Sequence, residues 1–129
     1  MNWLEPIDAY CERIDASLLG EPLNALSNAA FFAAAIWAAA AARRTRSGGA
    51  VWALIVLVAL IGAGSLAFHV FANRWSVLAD VIPISVFIYA YLAFALRRFL
   101  VMNWPETAMS LVALFAATLL VERATPPGF

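Results

Sequence analysis

The chain has 129 residues, 65% hydrophobic and 12% charged, and eight basic residues balance eight acidic ones to a formal net charge of zero. That length suits one domain, but the composition excludes an ordinary water-soluble one, and without a basic excess nothing points to a nucleic-acid partner. The expected fold is all-α, a polytopic membrane helix bundle with the bilayer as its solvent.

The chain opens on an acidic segment, residues 1–21, containing Glu5, Asp8, Glu12, Asp15 and Glu21. Acids ahead of the first apolar run, where a secretory signal would place basic residues, argue against a cleaved leader. The single Cys11 excludes an internal disulfide and is read as structural. A first membrane helix is expected over Leu23–Ala42; Asn24, Ser27 and Asn28 open it, and its alanine tract permits close approach of a neighbouring backbone. A second spans Ala50–Phe71 and carries Gly62, Ser65 and His69, the only histidine in the chain, on one stripe. After a short Asn73–Ser76 turn, a third covers Val77–Leu96, with Asp80 near its start, Pro83 three residues on, and Phe87 and Tyr91 continuing the Asp80 face. A fourth, Thr107–Val121, is short for a perpendicular crossing.

All eight basic residues are arginines. Arg43, Arg44 and Arg46 follow the first helix and Arg97 and Arg98 the third, so those ends are expected to be cytoplasmic and both termini non-cytoplasmic. Abundant alanine and arginine without lysine fits a GC-rich bacterial genome, and hence a bacterial inner membrane. The loops are brief, which requires adjacent helices to run antiparallel. No internal repeat or second domain is visible, so residues 1–129 read as one transmembrane domain of unknown oligomeric state.

This topology brings polar groups to one membrane face. His69 ends the second helix, Asp80 begins the third, and Glu21, Asn24 and Asn28 share a stripe at the start of the first through i, i+3 and i+7 spacing. Ser65 lies one turn before His69 on the same face. Ionisable groups at that depth need partners, because leaving one unpaired in hydrocarbon costs several kcal/mol. Each has a plainer reading. His69 could hydrogen-bond a neighbouring helix, Asp80 could pair with Arg74, Ser65 could bond its own backbone, and the asparagines could cap a helix.

Two blocks in this set resemble the alkaline ceramidases, within the superfamily that includes the progestin and adipoQ receptors. "YCERIDASLLGEPLNALSN" (Tyr10–Asn28) is similar to that family's Cys-Glu block, its following Glu and its Asn-x-x-Ser-Asn helix opening; "GAGSLAFHVFANRWSVLADVIP" (Gly62–Pro83) is similar to its Ser-x-x-x-His element followed by an Asp close to a proline. The resemblance implies a seven-helix membrane hydrolase that cleaves the amide of ceramide-like lipids at a zinc site. His69 would be one of three zinc ligands, and Ser65 and Asp80 would hold or activate the attacking water. It also implies a calcium ion on the acidic block, with Glu12 and Glu21 as the best-matched ligands and Asp8 and Asp15 as poorer matches, since Asp8 is displaced by one residue and Ile14 stands where an Asn is expected. Asn24, Ser27, Asn28, Phe87 and Tyr91 would line the pocket.

The chain departs from the family pattern in having four expected helices of seven, and it lacks the His-x-x-x-His pair that supplies the other zinc ligands. It is expected to be a C-terminally incomplete member, the alternative being a shortened homologue; whether it acts alone is open. The competing functional classes are a non-catalytic lipid-binding or receptor-like protein using the same pocket, and a structural membrane protein assembled through its small-residue faces.

Overall fold

A computed structural model of the chain describes residues 2–7, 13 and 20–125. Among the described residues five helices follow one another: α1 (Pro22–Ser27), α2 (Ala29–Arg44), α3 (Gly49–Phe71), α4 (Arg74–Arg98) and α5 (Trp104–Ala124). The architecture is all-helical, as expected. Pro22–Arg44, Gly49–Phe71, Arg74–Arg98 and Trp104–Ala124 are each long and apolar enough to cross a membrane.

Side chains explain where these elements depart from the sequence expectation. The first apolar run breaks into α1 and α2 at Asn28. The Ser27 hydroxyl and the Asn28 amide both donate to the Asn24 carbonyl, at 2.7 and 2.9 Å, and so compete with the backbone ladder. Helix α4 starts at Arg74 rather than Val77 because the chain reverses at Ala72, in the left-handed conformation (φ 42°), and Asn73 then caps the new helix. The Asn73 Oδ1 accepts from the Ser76 N–H at 3.2 Å while the Ser76 hydroxyl accepts from the Asn73 N–H at 3.0 Å. The last helix is not short. Asn103 and Glu106 form a reciprocal capping box with Pro105 in the first turn, extending α5 to 21 residues, roughly 32 Å at 1.5 Å per residue.

The chain divides into two compact units, Met1–Phe87 and Ile88–Phe129. In the first, the alanine face of α2 meets α3: Ala35, Ala42 and Ile55 are buried, and Ala38, Ala39, Val51, Trp52, Val58 and Ala59 pack around them. Two glycines let α3 approach neighbours on different sides. A methyl group at Gly62 would lie 2.8 Å from the Phe31 Cβ on α2, and one at Gly64 would run into the Ala79 carbonyl on α4. Ala79 is four residues before Pro83, which has no N–H to give it, so the carbonyl freed by the proline is the group that nestles against Gly64. The segment 2–7 straps the α3–α4 corner: the Ile7 N–H donates to the Ala72 carbonyl at 2.7 Å, the Trp75 N–H to the Trp3 carbonyl at 3.3 Å, and Arg74 pairs with Glu5 at 2.7 Å.

In the second unit, Arg97 turns the α4–α5 corner. It donates to the Met102 carbonyl at 3.0 Å and lies over the Trp104 ring, 4.2 Å from its centroid.

Candidate functional site

Glu21 is the N-cap residue of α1, yet its side chain does not cap that helix. It is 1% exposed, and both its oxygens are engaged elsewhere. Oε1 accepts from the Arg13 Nε at 2.7 Å; Oε2 accepts from the His69 Nδ1–H at 2.6 Å and from the Asn24 amide at 3.3 Å. Burial pushes the Glu21 carboxyl up, but the hydrogen bonds from His69, Arg13 and Asn24, together with the Arg13 charge, outweigh it and hold the group below the ordinary carboxylate range. It is therefore an anion at neutral pH, and Nδ1 of His69 must be the protonated ring nitrogen facing it.

His69 is itself buried, in the last turn of α3. Its backbone carbonyl is among the last four of that helix, which lack intrahelical donors, and it accepts from the Arg13 Nη2 at 2.9 Å. Asn28 is also buried and donates its amide to the Asn24 backbone carbonyl, while the Asn24 side chain joins the imidazole's partner Glu21.

Asp80 enters from α4, set against α3 at Gly64, with the Ser65 hydroxyl and His69 within electrostatic reach of its carboxyl. Its Oδ1 is buried without a hydrogen-bond partner. Such an oxygen costs roughly 1–3 kcal/mol and calls for a proton, a donor or a cation. Asp80 does not pair with Arg74, whose guanidinium is taken by Glu5.

The structure thus gathers Glu21, Asn24, Asn28, Ser65, His69 and Asp80 within the first unit. Ser27 is exposed and spends its hydroxyl on α1. Phe87 is half-buried on α4, while Tyr91 belongs to the second unit and is 50% exposed. Asp8, Glu12 and Asp15, with Cys11, lie outside the described residues. Arg13 is the partner that the sequence reading did not use. It is the one basic residue among the acids of segment 1–21, and that isolation was its available signal.

With this geometry in place, comparison with known families is decisive on one point: the family model for ceramidase matches residues 9–125. The chain belongs to the ceramidase family. Neither a curated protein nor a solved structure matches it. Ceramidases are hydrolases that are generally metal-dependent. The residues present fit part of a metal site. His69 is a borderline-soft nitrogen donor oriented by a carboxylate, the arrangement seen behind metal-binding histidines, and Asp80 offers an unmatched oxygen nearby. Among the described residues no three His, Cys, Asp or Glu side chains are grouped to hold a metal, so the remaining donors would come from elsewhere.

Proposed function

We propose that this ceramidase-family protein hydrolyses the amide bond of ceramide-like N-acyl lipids in a membrane, with a zinc ion held in part by His69. The observation that carries the reading is the buried, unpartnered Oδ1 of Asp80 beside Ser65 and His69. Amide hydrolysis forms a bond from water oxygen to the carbonyl carbon, breaks the C–N bond, and moves a proton from water to the departing nitrogen. A zinc ion, when bound, lowers the pKa of its water toward 7.

The chain's own residues supply the rest. Glu21 holds the Nδ1–H of His69, leaving Nε2 as the nitrogen that would bear the lone pair toward a metal. Asp80 Oδ1 receives the proton of the attacking water and passes it to the amine nitrogen, a role in which an oxygen with no donor is an asset. The Ser65 hydroxyl, which bonds the Asp80 carboxyl, orients that group and, on turning its one proton to the substrate, donates to the oxygen that gains charge as the carbonyl is attacked. Acyl chains have apolar surface to lie along, since Leu23, Leu26, Val81, Ile82 and Val86 are all exposed. The arginine distribution supports a non-cytoplasmic position for this cluster, and the abundance of alanine and arginine without lysine supports a bacterial inner membrane.

A second reading, lipid binding without turnover, draws on the same exposed apolar side chains, Leu23, Leu26, Val81, Ile82 and Val86. Elemental analysis and turnover of a fluorescent ceramide by the natural protein in liposomes separate the two. The hydrolase reading expects stoichiometric zinc that His69→Ala removes, and an Asp80→Asn variant that keeps its zinc while turnover falls about 10²- to 10⁴-fold. Equal zinc in wild type and His69→Ala overturns the ligand assignment, and lipid binding with neither zinc nor turnover establishes the second reading.

A further inference from the structure

The calcium ion implied by the family resemblance does not fit the carboxylate that should help to hold it. Calcium takes six to eight oxygen ligands at about 2.3–2.6 Å. Glu21, the one expected ligand among the described residues, already directs Oε1 at a guanidinium and Oε2 at an imidazole and an amide. A divalent cation on Oε1 would stand against the Arg13 charge, at a separation where like charges repel strongly in a desolvated site.

We propose that Arg13 holds, from within the chain, the place a divalent cation would take against Glu21, and that it positions His69 from two sides. The first route runs through side chains: Arg13 Nε fixes Oε1, the carboxylate plane is thereby set, and Oε2 receives the Nδ1–H of His69. The second runs through the backbone, where Arg13 Nη2 caps the His69 carbonyl at the negative end of α3. The fork geometry of the guanidinium matters here. Its Nε and Nη2 donors serve two acceptors on different elements at once, which the single ammonium point of a lysine cannot reproduce. Both side chains of the pair are almost fully buried, 7% exposed for Arg13 and 2% for Glu21, so the charge is not shared with solvent. Arg13 is thus a positioning residue that ties the N-terminal segment to α3 without an ion.

The part concerning His69 rests on its reading as the imidazole of the proposed site. The two can fail separately, because the readouts below require neither zinc nor turnover. His69 is the only histidine in the chain, so ¹⁵N-histidine labelling of the full protein gives one imidazole and reports its tautomer directly. The expected result has three parts. Wild type contains no stoichiometric calcium, and millimolar calcium leaves its unfolding midpoint and imidazole signals unchanged. Arg13→Gln loses the single Nδ1–H tautomer and shows a mixture. Arg13→Lys, which restores the charge but not the fork, recovers it only in part. Stoichiometric calcium in wild type, a midpoint that rises saturably with calcium, or unmoved imidazole signals in Arg13→Gln would each overturn the proposal. Should Arg13→Gln fail to fold, the calcium content and calcium response of wild type still decide it.

Discussion

Two arginine–glutamate pairs in this protein share one distance and differ in everything else. Arg74 and Glu5 join the strap to the start of α4, and Arg13 and Glu21 join the N-terminal segment to α1 and α3, each with an Nε···O separation of 2.7 Å. The first pair is about half exposed on both sides, 46% and 51%; the second is 7% and 2%. Where water can solvate both partners, forming the pair gains little over leaving each hydrated. Where it cannot, each charge depends on the other, and the desolvation penalty returns in full when one is removed. The bond length is silent about this difference, and the surroundings decide it.

The largest expected effect tests the buried side of that contrast. Glu21→Ala strands the Arg13 guanidinium and the His69 Nδ1–H at once, and should cost about 3–5 kcal/mol of stability, measured by denaturant unfolding in detergent. A loss no greater than that of an exposed-pair variant would mean that water reaches the cluster, and the comparison would collapse.

Next in size is Gly64→Ala. The added methyl meets the Ala79 carbonyl, a backbone group that cannot swing aside as a flexible side chain would, so α3 and α4 must separate. Overpacking of this kind costs roughly 1–3 kcal/mol. The displacement falls on Asp80, whose Cα would lie 3.2 Å from that methyl, while the Glu21–His69 bond joins the α1 N-cap to α3, with Arg13 behind it. The single imidazole signal of His69 should therefore keep its tautomer in Gly64→Ala. A changed tautomer would show that the Asp80 side and the Glu21 side of the cluster move as one body.

Much of the fold was legible in the sequence because long apolar helices announce themselves by length and composition, and all four helices long and apolar enough to cross a membrane are present. The boundaries were less so. Breaking the first run at Asn28 depends on side chains bonding back to Asn24, and starting α4 at Arg74 depends on Asn73 and Ser76 satisfying each other. Hydropathy registers neither. The meeting of His69 with Glu21 across 48 residues followed in outline from placing both at one membrane face, but their direct bond and the entry of Arg13 did not. An arginine in an acidic stretch reads as a solvated charge until burial is known, and burial is a property of the assembled helices. Likewise Pro83 signalled a loosened helix, whereas the seating of the freed Ala79 carbonyl on Gly64 required the two helices to be placed.

The smallest expected effect belongs to the exposed pair. Glu5→Ala should cost no more than about 1 kcal/mol, and a double-mutant cycle with Arg74→Ala should return a coupling of roughly 0.2–1 kcal/mol that shrinks as salt is added. The strap does not depend on the ion pair, because the Ile7 and Trp75 amides hold it to the α3–α4 corner through backbone carbonyls that neither substitution touches. The Glu21 cluster, shielded from counterions, should show no such salt dependence. A salt-insensitive coupling at Glu5 comparable to the loss at Glu21 would place the strap in a low-dielectric setting of its own, and the contrast between the two pairs would be lost.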